Sequence, residues 1–392
     1  MEPARARYLV SDRGRDALAG LDPALGALDV VRLATTLRKA FPPEEASALA
    51  EQLTLRERAR KRHGEPTSAM LYTANGLEMT THPVVAARRA ARFAAFAGTV
   101  IDLTCGIGGD LGAIANIRSG VAGLERDEGT AIVAAANVPR AAVVRGDASA
   151  APFAIERSAV LLDPSRRDGG GRRFDPSAFS PTWDATISLA GEARIAVVKA
   201  QPGIDHAIVP PSAELEVVQL GRSLREAALW FGEGATPGLR RAVKLPLGAE
   251  LDSTEPDAAS LAAGVGSVLY DPHSCVTRAG LVRHLAHRLG ASLLDSQLAY
   301  LTAESAASDP LAEAFEVLDV LPFSVARLRQ WLREHASQPA EVRRRAFPVE
   351  PDELLRLLGR LEGAPVVLFC TTLGRRRTVI IGRPLVGDAP ST

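Results

Sequence analysis

The segment Thr99-Val-Ile-Asp-Leu-Thr-Cys-Gly-Ile-Gly-Gly-Asp-Leu111 reads as three consecutive pieces. An apolar run enclosing one acid, Val100 to Leu103, has the composition of a strand buried on both faces of a parallel sheet. It runs into Gly106, Gly108 and Gly109 and then into a helical pattern. Glycines are needed where a backbone turns with positive φ or approaches a ligand, and a helix start offers unpaired N–H groups. The turn is therefore built to hold a ligand against its backbone. A dinucleotide fingerprint wants a third glycine where this chain has Leu111, which disfavours NAD.

Working outward, Gly120-Val-Ala-Gly-Leu-Glu125 reads as a second strand, its carboxylate about twenty residues past the turn, where an acid can bond ribose hydroxyls. Ala142-Val-Val-Arg-Gly-Asp147-Ala148 is a third strand ending in an acid, and Ala159-Val-Leu-Leu-Asp163-Pro164 a fourth. Four strand ends in order, each with an acid, resemble the class I methyltransferases that use S-adenosylmethionine. That likeness implies a Rossmann-like α/β sheet, parallel with a closing antiparallel hairpin. It would put Asp102, Thr104, Gly106, Gly108, Gly109 and Asp110 around the methionine end of the cofactor and Glu125 on its ribose. Asp147 and Ala148 would lie by the adenine, and Asp163 and Pro164 would face the methyl group. In such enzymes a segment before the sheet often lies across the pocket, which adds Tyr72 and Thr73, with Glu78, as site candidates.

Arg194 to Lys199 reads as a fifth strand, and Leu215 to Leu220 with Glu226 to Phe231 as the closing pair. Asp163, Lys199 and Glu226 would then stand at three strand ends facing one cleft. That trio resembles the aspartate, lysine and glutamate of ribose 2′-O-methyltransferases, where a lysine beside the hydroxyl favours its deprotonated form. The first lysine of that set has no counterpart, because the preceding helix offers Arg88 and Arg89. Methylation of a base nitrogen is the rival chemistry. Those enzymes show a second proline and an aromatic at this strand end, where this chain has Asp163-Pro164-Ser165-Arg166. The loop after Asp163, with Arg166, Arg167 and three consecutive glycines, is cationic and suits a lid over phosphates.

The 392 residues carry 46 basic and 46 acidic side chains, so no global charge draws the chain toward nucleic acid or an anionic membrane. Lys39, Lys61, Lys199 and Lys244 are the only lysines. Cys105, Cys275 and Cys370 are far apart, so neither a disulfide framework nor a zinc site is expected. With no apolar span of membrane length and no signal-peptide core, a cytoplasmic protein without membrane or metal partners is expected. The sequence is silent on oligomeric state.

Residues 1–66 read as an N-terminal helical region, with Leu28, Val31, Leu33 and Leu37 marking one helix and Pro43 to His63 another. The methyltransferase domain is expected over 67–250, followed by a loop from Gly248 to Ala263. A C-terminal α+β domain over 264–385 then holds a helix from Thr277 to Leu289, a strand from Phe315, a helix from Val325 to His335, and a basic turn at Arg343 to Arg345. A helix from Pro351 and a hairpin around Leu373-Gly374 complete it. This order resembles the THUMP-like domain at the C-terminus of a family of bacterial class I methyltransferases. By that analogy Arg343, Arg344, Arg345 and Arg376 would meet RNA phosphate. The resemblance implies a methyltransferase acting on structured RNA, such as rRNA or tRNA. A small-metabolite methyltransferase and a non-catalytic RNA binder that keeps the cofactor fold are the alternatives.

Overall fold

The computed structural model describes residues 1–64, 70–166 and 179–385. The chain forms two compact units, Met1–Glu214 with Ala228–Pro237, and Leu215–Ala227 with Gly238–Thr392.

In the first unit, α1 (Pro3–Val10), α2 (Asp12–Ala19), α3 (Val30–Leu37) and α4 (Pro43–His63) form a helical layer. Ser11 and Asp29 cap α2 and α3 with side-chain oxygens, and α4 has Glu44 and Glu45 in its first turn and Arg60, Lys61 and Arg62 in its last, as its dipole favours. Leu9, Leu33, Leu49 and Leu53 are buried together with Ile107 and Val133 from the sheet's own connections. The expected stripe on α3 is narrower than its sequence suggested. Leu33 and Leu37 are buried one turn apart, whereas Val31, on the opposite face of a short helix, is 75% exposed.

Next come α5 (Ala74–Met79) and α6 (Pro83–Ala91). The Thr73 hydroxyl accepts from the Gly76 N–H at 2.9 Å and caps the start of α5. A Cβ at Gly76 would come within 2.4 Å of Ile107, so only glycine lets α5 lie against the glycine turn. The sheet follows as β1 (Val100–Asp102), α7 (Gly109–Ile117), β2 (Val121–Glu125), α8 (Glu128–Asn137), β3 (Ala142–Arg145) and β4 (Ala159–Leu162). After β5 (Ser165–Arg166) and β6 (Phe179–Ser180), a two-strand pair apart from it, come α9 (Trp183–Glu192) and β7 (Ile195–Ala200). Arg167 lies outside the described residues. β1 pairs in parallel with β2 and β4, and Val100 is level with Val121 and Ala159. The order β3-β2-β1-β4-β7 puts the apolar β1, β4 and β7 at the centre and the more exposed β3 at the edge. Ligands of such sheets bind outside the carboxyl ends of the strands, where Asp102, Glu125, Asp163 and Lys199 all lie.

The hairpin of β8 (Glu214–Leu220) and β9 (Ser223–Gly232) falls where the sequence put it. β9 is divided between the units, its C-terminal half in the first. In the second unit β10 (Arg240–Leu245) pairs in parallel with β8, and β11 (Ala249–Asp252) antiparallel with β10. The loop expected from Gly248 thus begins with a strand, short enough to have escaped a periodicity reading.

The rest of the second unit is a seven-stranded sheet of order β13-β14-β12-β15-β18-β17-β16. Its strands are β12 (Val268–Pro272), β13 (Ser292–Leu293), β14 (Leu301–Ala303), β15 (Ala312–Pro322), β16 (Ser337–Arg345), β17 (Ala364–Leu373) and β18 (Arg376–Pro384). Its helices are α10 (Ser274–Arg278), α11 (Val282–Leu289), α12 (Val325–Glu334) and α13 (Pro351–Leu358). The single helix expected from Thr277 to Leu289 is two, broken at Gly280 with φ +69°. Arg343 to Arg345 are not a turn but the end of β16, parallel to β17. One face of this sheet buries Tyr300, Phe315 and Phe369, and α12 and α13 bury Leu328, Leu332 and Leu354. All three cysteines are buried and free. No helix among the described residues is long and apolar enough to cross a membrane.

Candidate functional site

A cavity of about 230 Å³ opens at the carboxyl ends of β1, β2 and β4, in the first unit. Its floor is the turn between β1 and α7. Gly106 and Gly108 take φ +53° and +91°, and Gly108 starts α7 without a side-chain cap, leaving the first amides of that helix to a ligand. A Cβ built at Gly106 meets no atom within 4 Å, so the loop borders free space.

Along the cavity lie Asp102, Thr104, Gly106, Gly109, Asp110, Glu125, Asp147, Ala148 and Asp163. Nine of the residues picked from sequence are thus brought together, with Thr73 and Lys199 beside them. The Asp102 carboxylate accepts from the Thr104 N–H at 3.1 Å, and burial, with Asp110 nearby, pushes its pKa up to about 8. Glu125 takes the Gly106 N–H (3.1 Å) on one oxygen and the Asp127 N–H (2.8 Å) on the other, locking the glycine turn to the end of β2. A carboxylate oxygen has two lone-pair sites, so this acid can still accept ribose hydroxyls. Asp147 accepts from Ser149, and the Asp163 N–H donates to the Thr104 hydroxyl at 2.7 Å, tying β4 to β1.

At the mouth, the Lys199 ammonium donates to Asp163, to the Thr81 hydroxyl at 2.8 Å and to Asp110 at 3.2 Å. Arg89 donates to the other Asp110 oxygen. Burial alone would raise the Asp110 pKa, but Arg89 and Lys199 outweigh it and hold it at about 2.

Other expected residues lie elsewhere. Tyr72 is fully buried, and its backbone exchanges two hydrogen bonds with the Gln52 side chain, at 2.6 and 2.9 Å; it does not line this cavity. Glu78 pairs with Arg58 and Arg62. Gly108 serves as the left-handed cap and Pro164 is buried beside the cavity, neither on its lining. Glu226 is buried on β9, in the second unit, and does not line the cavity.

In the second unit the expected cationic face at Arg343 to Arg345 is occupied by carboxylates. Strand alternation sends Arg343 and Arg345 to one side, where both bind Asp271, at 2.8 and 2.7 Å; Arg343 also binds Glu313 and Glu341. Arg344, on the other side, reaches Glu350 at 2.6 Å. Arg376 is exposed at the β17–β18 turn. The sequence missed Asn75, Met79, Thr80 and Thr81 on the cavity wall, and Arg89 behind it. Their signal was only their position in the segment preceding the sheet.

The donor set suits a nucleoside carrying an amino acid: acids at the ends of β1 and β2, open helix amides, and a third acid near the edge strand. The fold and this cavity are those of a class I methyltransferase. Comparison with known proteins agrees. Two uncharacterized S-adenosylmethionine-dependent methyltransferases, from Mycobacterium tuberculosis strains CDC 1551 and H37Rv, are each 34% identical over 347 residues, spanning 84% of this chain and 94% of theirs. The chain belongs to the S-adenosylmethionine-dependent methyltransferases, and S-adenosylmethionine is its cofactor. Residues 312–384 match the THUMP domain-like family and residues 2–59 a domain of unknown function, DUF8688. The crystal structure of a protein from Porphyromonas gingivalis W83, provisionally assigned as a methyltransferase, matches with TM-score 0.77 at 23% identity, covering 97% of each chain, and shares the fold.

Proposed function

We propose that this enzyme methylates a structured RNA, on a ribose hydroxyl or a base nitrogen, and that the cavity residues named above, Asp110 apart, are its cofactor and reaction site. The observation carrying the RNA assignment is the THUMP domain-like match over residues 312–384, a unit whose hairpin exposes Arg375 to Arg377. True THUMP domains, which this unit resembles, position RNA for an attached modifying enzyme.

S-adenosylmethionine supplies an electrophilic methyl group on a sulfonium. Asp102 and the uncapped start of α7 hold its amino-acid end, Glu125 its ribose, and Asp147 with Ala148 its adenine edge. Asp163, braced by Lys199, faces the incoming nucleophile. Bound there, S-adenosylmethionine would offer its methyl to a substrate oxygen or nitrogen, and these residues would contribute mainly by holding the reactants in line and excluding water.

The test is transfer of radiolabelled methyl from S-adenosylmethionine into fractionated RNA, protein and metabolites of cells lacking the gene, with Asp163→Ala as control. Label entering RNA only with the unmutated protein is the expected result, and digestion then separates ribose from base. Label in metabolites alone would assign a small-molecule substrate. Tight cofactor binding with label in no fraction would favour a non-catalytic binder.

A further inference from the structure

We propose that Asp110, fixed from behind by Arg89, is a positioning residue that holds the Lys199 ammonium beside Asp163 and is not a cofactor ligand. The proposal rests on the reading that Asp163 faces the transferring methyl.

Its first support is the use of the carboxylate. Asp110 sits in the first turn of α7, where a bound amino acid's own carboxylate would be received, yet its oxygens turn to protein partners. One oxygen takes Arg89, and the other takes the Thr81 hydroxyl at 2.7 Å and Lys199 at 3.2 Å. Arg89 and Asp110 are both buried, so the pair acts in a low-dielectric setting. Arg89 cancels a charge that would otherwise repel an anionic group from the helix start.

The second support is the bridged set of acceptors at Lys199. Among the described residues, three acceptors meet this ammonium: Thr81, Asp110 and Asp163. Thr81 bridges, because its hydroxyl donates to Asp110 while accepting from Lys199. Among the described residues, the titratable groups facing this lysine are Asp102 from β1, Asp110 from α7 with Arg89 of α6 beyond it, and Asp163 after β4. On this reading Lys199 serves methyl transfer as a fixed cation beside Asp163.

The scarcity of lysine makes this measurable. With four lysines in the chain, ¹⁵N-lysine labelling of the full-length protein gives four Nζ signals, and Lys199→Arg identifies the one in the site. The expected result is a Lys199 ammonium signal that exchanges its protons more slowly than those of the exposed lysines. In Asp110→Asn this exchange speeds by about tenfold or more, while calorimetric affinity for S-adenosylmethionine changes by less than about threefold. Should that variant fail to fold, Thr81→Val removes an acceptor without altering charge and should speed Nζ exchange about tenfold, one acceptor's contribution. The proposal is overturned if the lysine signal is unchanged in the folded variants. It is also overturned if Asp110→Asn loses cofactor affinity tenfold or more with the lysine untouched, which would make Asp110 a ligand. None of these readouts involves RNA, so failure here is distinct from failure of the substrate assignment.

Discussion

Asp102 is 2% exposed and receives a backbone N–H from Thr104. With a pKa near 8 in the fold against about 4 in an unfolded chain, it holds a proton at neutral pH. Folded molecules therefore bind more protons than unfolded ones between those values, and stability declines as pH rises through that window. Asp102→Asn removes the cost of ionising, so its gain in Tm should grow from pH 5 to pH 9 while cofactor affinity falls. A gain independent of pH would mean the carboxyl is not protonated in the fold. A bound cation favours the ionised acid, so cofactor binding at pH 7 should release a proton. Calorimetry in buffers of differing ionisation heat reads this directly, and equal heats would refute it. Asp110 behaves oppositely. Its pKa is held near 2, so the stability it contributes is present above about pH 4 and is lost as pH falls toward 2. The acids were legible in the sequence because each ends an apolar run. The Arg89–Asp110 pairing was not, since it joins α6 to α7 through space and leaves no periodic trace.

At the scale of elements, β16 shows how a basic run misleads. Arg343-Arg344-Arg345 resembles a phosphate-binding turn, but β-strand alternation splits it between two faces, and Asp271, Glu313 and Glu341 gather on the face of Arg343. Arg343 also lies over the rings of Phe315 and Phe369. Arg343→Ala should destabilise the second unit by about 3–5 kcal/mol, as when one partner of a buried ion pair is removed. Arg376→Ala, at an exposed turn, should leave Tm unchanged. Urea unfolding of both variants distinguishes them, and equal effects would contradict this arrangement. Strand entry also depends on Gly363, whose φ of +144° and a would-be Cβ 1.8 Å from the Ala336 oxygen leave no room for a side chain. The sheet's helices and first strands could be read from periodicity, whereas β10 and β11 could not. β4 is as short as β11, but its unbroken apolar run marks it, whereas Ala-Glu-Leu-Asp in β11 holds one large apolar residue.

For the molecule as a whole, balanced charge means that any attraction to RNA must come from local groups. Affinity should fall with salt at a slope of about −0.7 to −0.9 per phosphate contact, and removing one exposed arginine among Arg375 to Arg377 should flatten it by about that amount. A slope unaffected by all three substitutions would move the RNA contact elsewhere. The order of strands and helices was legible over most of the chain, because a nucleotide-binding sheet announces itself at each turn. How the segments group was not. The N-terminal helices share their core with α8 and the glycine turn, a partnership set by shape between side chains far apart in sequence.

The buried cysteines have a practical consequence. Burial pushes the Cys105 thiol far up, Cys275 to about 11 and Cys370 to about 12, so at neutral pH none carries the thiolate that alkylating dyes require. A cysteine introduced at an exposed position such as Arg376 would be the one reactive thiol in the protein. The native chain thus serves, without prior removal of any cysteine, as a scaffold for attaching a single fluorophore to the hairpin and watching it meet RNA.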